Sequence, residues 1–266
     1  MHFINNRIQN MNNLFSVAGK VAVVTGGSSG IGAMIARGFV ENGVKTYITA
    51  RKLEQLQQTA AELSTWGDCI AIQSDLSTMA GVNAFADEML KREPKIDILI
   101  NNAGAVWGAP IEEFPESGWD KVMDLNVKSI FFLSQRLLPA LRLAGEADEP
   151  SRIVNIASVN GITHSRMNNY SYSASKAAVI QMTRHMAADL RPSNVNINGI
   201  APGFFPSKMT KHILEHEQEI AKDLPARKIG ELTDIAGTAI YLCSRASNYV
   251  CGHTVVLDGG QVAHAG

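Results

Sequence analysis

Short β-branched and apolar runs alternate with longer stretches of helical period from Lys20 to the C-terminus. The runs are KVAVVT (20–25), VKTYITA (44–50), CIAIQS (69–74), KIDILIN (95–101), RIVNIAS (152–158), NVNINGIA (194–201) and HTVVLD (253–258). Several are continuously apolar, as strands are when helices cover both faces. Between them, 30–42 has helical period and closes on Asn42-Gly43 in the manner of a helix C-cap, and a long helical pattern runs from Trp119 to about Leu143. Such alternation, joined by right-handed crossovers, predicts an α/β protein: one domain with a doubly wound, seven-stranded parallel sheet and helices on both faces. Residues 1–17 carry Asn5, Asn6, Asn10, Asn12 and Asn13 and read as a polar extension, with the domain over 18–266.

Composition narrows the function classes. Of 266 residues, 45% are hydrophobic, enough for a core that needs no disulfide or metal. A net charge of −1 leaves no field to gather nucleic acid or a membrane surface, so a small molecule is the expected partner. Cys69, Cys243 and Cys251 form no C-x-x-C pair, which suggests neither a zinc site nor a disulfide framework. No run approaches the ~20 apolar residues of a membrane span, and the opening residues lack the apolar centre of a signal peptide. A soluble, cytoplasmic protein is the expectation.

The first strand leads into Thr25-Gly26-Gly27-Ser28-Ser29-Gly30-Ile31-Gly32 and then a helix. At a strand-to-helix turn, Gly26 permits the bend, Gly30 lets backbone N–H groups approach a pyrophosphate, Gly32 allows close helix packing, and the helix N-terminus favours the anion. A plain glycine-rich turn is the alternative for this segment taken alone. Arg51 and Lys52 follow the second strand, which ends at Ala50, and Arg51 stands 19 residues after Gly32, where an NAD site places an acid on the ribose 2′-OH. An arginine there suits a 2′-phosphate and argues for NADP(H).

Tyr172 and Lys176, in YSASK, lie four apart and share one helix face. A neighbouring ammonium is expected to lower the tyrosine pKa from its usual value of about 10 and make a usable acid/base. Tyr170 faces another side of that helix. Ser158 falls where the fifth strand runs out, among the carboxyl ends at which open α/β sheets bind ligands; a helix cap or turn is its ordinary alternative. Asn126 sits in the long helix, where asparagine is a poor former unless its amide is used.

Through TGGSSGIG (25–32), NNAG (101–104), Asn126, Ser158, YSASK (172–176) and APG (201–203), the segment from about Gly19 to Gly260 resembles the short-chain dehydrogenase/reductase family. The resemblance implies a single-domain Rossmann fold, a homotetramer and an Asn-Ser-Tyr-Lys tetrad at Asn126, Ser158, Tyr172 and Lys176. In it the serine orients the carbonyl and the tyrosine transfers the proton. The lysine also holds the nicotinamide ribose, and the asparagine positions a water for the proton relay. It further implies cofactor contacts at Gly26, Ser28, Ser29, Gly30, Ile31, Gly32, Arg51, Lys52, Asp75, Leu76, Asn102, Ala103, Gly104, Tyr172, Lys176, Pro202, Gly203, Phe205 and Ser207. Asp75-Leu76 matches the adenine-contacting pair and Pro202-Gly203 the loop flanking the nicotinamide. Through GWDKVMDLNV (118–127) and APGFFPSKMTKHI (201–213), the chain is most similar to NADPH-dependent β-ketoacyl reductases, the rhamnolipid-synthesis type above all. Two departures from that pattern are Ser207, where many of these enzymes carry threonine, and Ser29, which supplies no second basic contact for the 2′-phosphate.

Together these readings describe an oxidoreductase that moves hydride from NADPH to a ketone, with a 3-oxoacyl thioester or a similar hydrophobic carbonyl as substrate. An alcohol, polyol or steroid dehydrogenase on the same tetrad is one alternative. A non-catalytic NADP-binding regulator is another. Trp107, Phe204, Phe205 and Met209 are apolar candidates for the pocket, or for packing the loop after the sixth strand against the body. Arg166, Lys208 and Lys211 lie in segments where an acyl carrier could dock. His212 and His216 share a helical spacing but have no third metal ligand nearby.

Overall fold

The computed structural model describes residue 11 and residues 13–165, 167–206 and 217–264. Ser207, Lys208, Met209, Lys211, His212, His216 and Arg166 lie outside the described residues, as do residues 1–10 and Asn12.

Seven strands form one parallel sheet: β1 (Val21–Thr25), β2 (Lys45–Ala50), β3 (Cys69–Gln73), β4 (Ile98–Asn101), β5 (Ser151–Ile156), β6 (Val195–Pro202) and β7 (Thr254–Leu257). Their spatial order is β3-β2-β1-β4-β5-β6-β7. β1 pairs with β2 on one side and β4 on the other, so the winding reverses between β1 and β4, and ligands bind outside the carboxyl ends at such a reversal. Every carboxyl-terminal strand residue, including Thr25, Ala50, Asn101 and Ile156, therefore points at one rim.

The alternation of side chains along each strand divides the core between the two sheet faces. Ala22 and Val24 join Ile35 and Phe39 of α1 (Gly30–Glu41) and Ile235 and Leu242 of α8 (Leu232–Cys243). Val23 joins Phe85 and Met89 of α3 (Met79–Arg92) and Leu133 and Leu137 of α5 (Ser129–Ala144) on the other face. Close packing of α1 on α8 depends on Gly38: a Cβ there would sit 2.5 Å from the Ala236 methyl carbon. The remaining α-helices among the described residues are α2 (Leu53–Leu63), α4 (Glu116–Met123), α6 (Tyr170–Leu190), α7 (Glu217–Asp223) and α9 (Gln261–His264).

The long helical pattern in the sequence is one rod from Glu116 to Ala144, interrupted by a π turn over Asp124–Lys128 with Asn126 at its centre. Insertions of this kind recur at functional sites. In the segment before residue 18, Val17 is buried, Phe15 lies 6.4 Å from the Tyr241 ring, and Leu14 accepts a hydrogen bond from the Ala246 amide. No helix among the described residues is long and apolar enough to cross a membrane.

Candidate active site

A cleft of about 520 Å³ opens along the carboxyl rim. Its floor at one end is the turn from β1 to α1. Gly26 and Gly30 stand at φ +67° and +56°, the left-handed region that glycine enters without strain. A Cβ on Gly26 would approach the Asn102 amide to 2.8 Å, and one on Gly32 would collide with the Gly26 carbonyl and Asn102, so Gly32 packs the helix against the loop and does not line the cleft. Ser29 occupies the N-cap of α1 without a side-chain capping bond, and no acid stands in the first turn. That helix end is suited to an anion, which fits the pyrophosphate of a dinucleotide.

Two clasps hold the turn. Thr25 Oγ1 accepts from the Asn102 and Ala103 amides, each at 2.9 Å, and ties β1 to β4. Ser28 offers its carbonyl to Gln55 Nε2 at 3.0 Å and to Thr59 Oγ1 at 3.1 Å, which draws α2 against the phosphate turn. Since Arg51 and Lys52 lead into α2, the clasp brings two exposed cations to the cleft edge. Arg51 also acts on Asp75 across the cleft. Desolvation, the largest single influence, raises the Asp75 carboxyl, but the hydrogen bonds from Ser77 and the Arg51 charge together outweigh it and hold the carboxyl below its usual range. The donor set fits a dinucleotide with an added phosphate on the adenosine ribose.

At the other end of the cleft, β5 delivers Ser158 and α6 delivers Tyr172 and Lys176. Ser158 is buried in an extended conformation at the start of a short 3-10 turn, Val159–Gly161, and its Oγ accepts the Asn160 amide at 3.2 Å. With an acceptor position taken, the hydroxyl proton is available to donate, and it meets the half-buried Tyr172 phenol. Lys176 Nζ donates to the Ile156 carbonyl at 2.7 Å and lies 5.5 Å from the centroid of the Tyr172 ring.

The electrostatics correct one expectation. Desolvation pushes the Tyr172 phenol above its usual value, and the hydrogen bond with Ser158 offsets only part of that rise. The net shift is upward although Lys176 stands close by, itself buried and pulled to about 8 by desolvation. The tyrosine is thus protonated at neutral pH, in the form that donates.

Asn126 is fully buried and does not line the cleft, where its neighbour Leu125 does. Its Oδ1 accepts the Ala105 amide at 2.7 Å, and its Nδ2 donates to the Ala105 carbonyl and to Ser175 Oγ, both at 3.0 Å. The π turn turns this amide toward both the end of β4 and helix α6. Ser28, Ser29, Gly30, Ile31, Leu76, Asn102, Ala103, Gly104, Pro202, Gly203 and Phe205 line the cleft as the sequence proposes. Trp107 does not; its ring lies on Gly118 of α4, with Lys121 Nζ 4.9 Å over it. Sequence reasoning missed Thr49, Ala50, Gln55, Ser74, Ile156 and Ala157 on the cleft wall, and Ser175 behind it. Ala50, Ser74, Ile156 and Ala157 were nonetheless findable as residues at or just past strand ends.

The model of the short chain dehydrogenase family matches residues 20–218. Over 253 residues the chain is 45% identical to the rhamnolipids biosynthesis 3-oxoacyl-[acyl-carrier-protein] reductase of Pseudomonas aeruginosa, covering 94% of this chain and 99% of the relative. It is 36% identical to the 2-dehydro-3-deoxy-D-gluconate 5-dehydrogenase of Escherichia coli, over 94% and 98% of the two chains. Among solved structures, the Pseudomonas aeruginosa RhlG/NADP active-site complex superposes with a TM-score of 0.91 at 44% identity, covering 94% of this chain and 99% of that one. A Burkholderia cenocepacia gluconate 5-dehydrogenase in complex with NADP and tartrate follows at a TM-score of 0.85 and 31% identity, with 94% and 98% covered. With its sheet order, its cleft and these relatives in agreement, the chain belongs to the short chain dehydrogenase family.

Proposed function

We propose that the protein is an NADPH-dependent carbonyl reductase acting on a 3-oxoacyl thioester or a ketone of similar hydrophobic character. The observation that carries this reading is the meeting of Ser158, a protonated Tyr172 and Lys176 at one end of a cleft whose other end carries Arg51 and Lys52. NADPH bound there supplies the hydride. The Ser158 hydroxyl donates to the substrate carbonyl oxygen and polarises it. Tyr172 gives its proton to that oxygen as negative charge develops, and the Lys176 ammonium stabilises the phenolate left behind. Arg51 recognises the 2′-phosphate, and the N-terminal turn of α1 takes the pyrophosphate. Asn126 serves as a positioning residue that holds Ala105 against α6.

Exposed Val106, shortly after Gly104, and exposed Ile162, at the end of the turn that starts at Ser158, support an apolar substrate. The similarity to keto-gluconate dehydrogenases favours, as a second reading, oxidation of a polyol on the same residues. We also infer a cytoplasmic homotetramer. Its supports are three free thiols and the edge strand β7, whose outer side has no strand partner among the described residues and whose Val256 is exposed. Light scattering giving four times the 28.7 kDa chain mass is the expected result, and a monomer at micromolar concentration would rule the assembly out.

Replacing Tyr172 by Phe removes the proton donor while leaving the ring. Turnover should fall by about a hundredfold or more with NADPH affinity within a few-fold of the parent, since acid catalysis contributes roughly 10²–10⁴. Retained turnover in Tyr172→Phe would sink the assignment.

A further inference from the structure

We infer that Gly161 is a positioning residue that sets the distance between the Ser158 hydroxyl and the Tyr172 phenol. The inference rests on the reading of Ser158 and Tyr172 as a working pair. Gly161 ends the turn that begins at Ser158, and its amide donates to the Ser158 carbonyl at 3.0 Å. The turn is closed further by the Ile162 and Thr163 amides, both on the Val159 carbonyl at 2.9 Å. It therefore moves as a unit.

This unit rests directly on the backbone of α6 beside the catalytic lysine. A Cβ on Gly161 would lie 2.6 Å from the Lys176 carbonyl carbon, 2.7 Å from the Ala177 nitrogen and 2.8 Å from the Lys176 oxygen. These neighbours are main-chain atoms, which have no rotamer to escape into. The backbone of Gly161 is outside the left-handed region, so conformation does not demand glycine; only space does. Nor can α6 retreat easily. Lys176 is tied to the Ile156 carbonyl at 2.7 Å, and Ser175 Oγ, which donates to the Tyr172 carbonyl at 2.7 Å, accepts Asn126 Nδ2 from the π turn. With the helix held on two sides, an added methyl displaces the turn, and Ser158 with it, away from Tyr172.

The phenol itself reports that separation. Ser158 favours the phenolate, so its withdrawal raises the pH at which Tyr172 ionises. The experiment is an ultraviolet titration of tyrosinate absorbance in the full-length protein, with Tyr172→Phe subtracted to isolate Tyr172. In Gly161→Ala the Tyr172 titration should move upward by about one pH unit, the scale of one hydrogen bond to a charged group. Ser158→Ala should move it as far, and Gly161→Ala added to Ser158→Ala should move it no further, because both act through one bond. Should Gly161→Ala fail to fold, Val159→Ala loosens the same turn by removing a buried side chain and should shift the titration in the same direction. An unchanged titration in folded Gly161→Ala or in Val159→Ala, or a shift that adds to that of Ser158→Ala, would overturn the inference. Because the readout is the phenol and not turnover, the inference can fail while the proposed reaction stands, and the reverse.

Discussion

Lys176 carries the sharpest pH argument at the scale of the single residue. Burial lowers it from 10.5 to about 8, so its charge is present below that pH and lost above it. The rate of carbonyl reduction should therefore decline as pH rises through about 8, while the Tyr172 phenol, shifted upward, still holds its proton. Stability should respond in the opposite sense. Between about 8 and 10.5 the unfolded chain binds the proton that the folded chain has released, so this residue makes stability rise with pH across that window, by roughly 3 kcal/mol at most. Denaturant midpoints of the parent and Lys176→Met across the window would measure it; parallel curves would contradict the burial argument.

Among elements, the strands were the most legible part of the sequence. Each of the seven runs became a strand within a few residues, because strands covered on both faces must be apolar nearly throughout. Helix α1 ended on Asn42 with Gly43 at φ +74°, as the Asn-Gly pair implied. The π turn was not legible, since it inserts into a helical period without breaking the hydrophobic pattern; only an asparagine in a helix hinted at it. Trp107, open in the sequence between lining a pocket and packing, packs. An indole after a strand end suits a pocket, but Gly118 offered it a flat seat on α4. The motif residues of the site were legible because their chemistry is tied to local geometry, whereas Gln55, Thr59 and Ser175 act through tertiary contacts that no spacing announces. The α1–α8 seam yields a prediction at this scale. Gly38→Val would drive a side chain into Ala236 and should cost about 1–3 kcal/mol by chemical denaturation; a change within error would mean that the seam yields freely.

For the whole molecule, one sheet reversal places Arg51 and Lys52 at one end, and Ser158, Tyr172 and Lys176 at the other, of a single rim. The central claim is that this rim reduces a hydrophobic ketone with NADPH. Its most direct test is the initial rate of NADPH and, separately, NADH oxidation with a short 3-oxoacyl thioester beside a simple cyclic ketone. The account predicts faster loss of NADPH with the thioester, and a preference for NADPH that Arg51→Asp reduces by about tenfold or more, the scale of a charge-assisted contact. Turnover with NADH alone, or with the cyclic ketone alone, would contradict it.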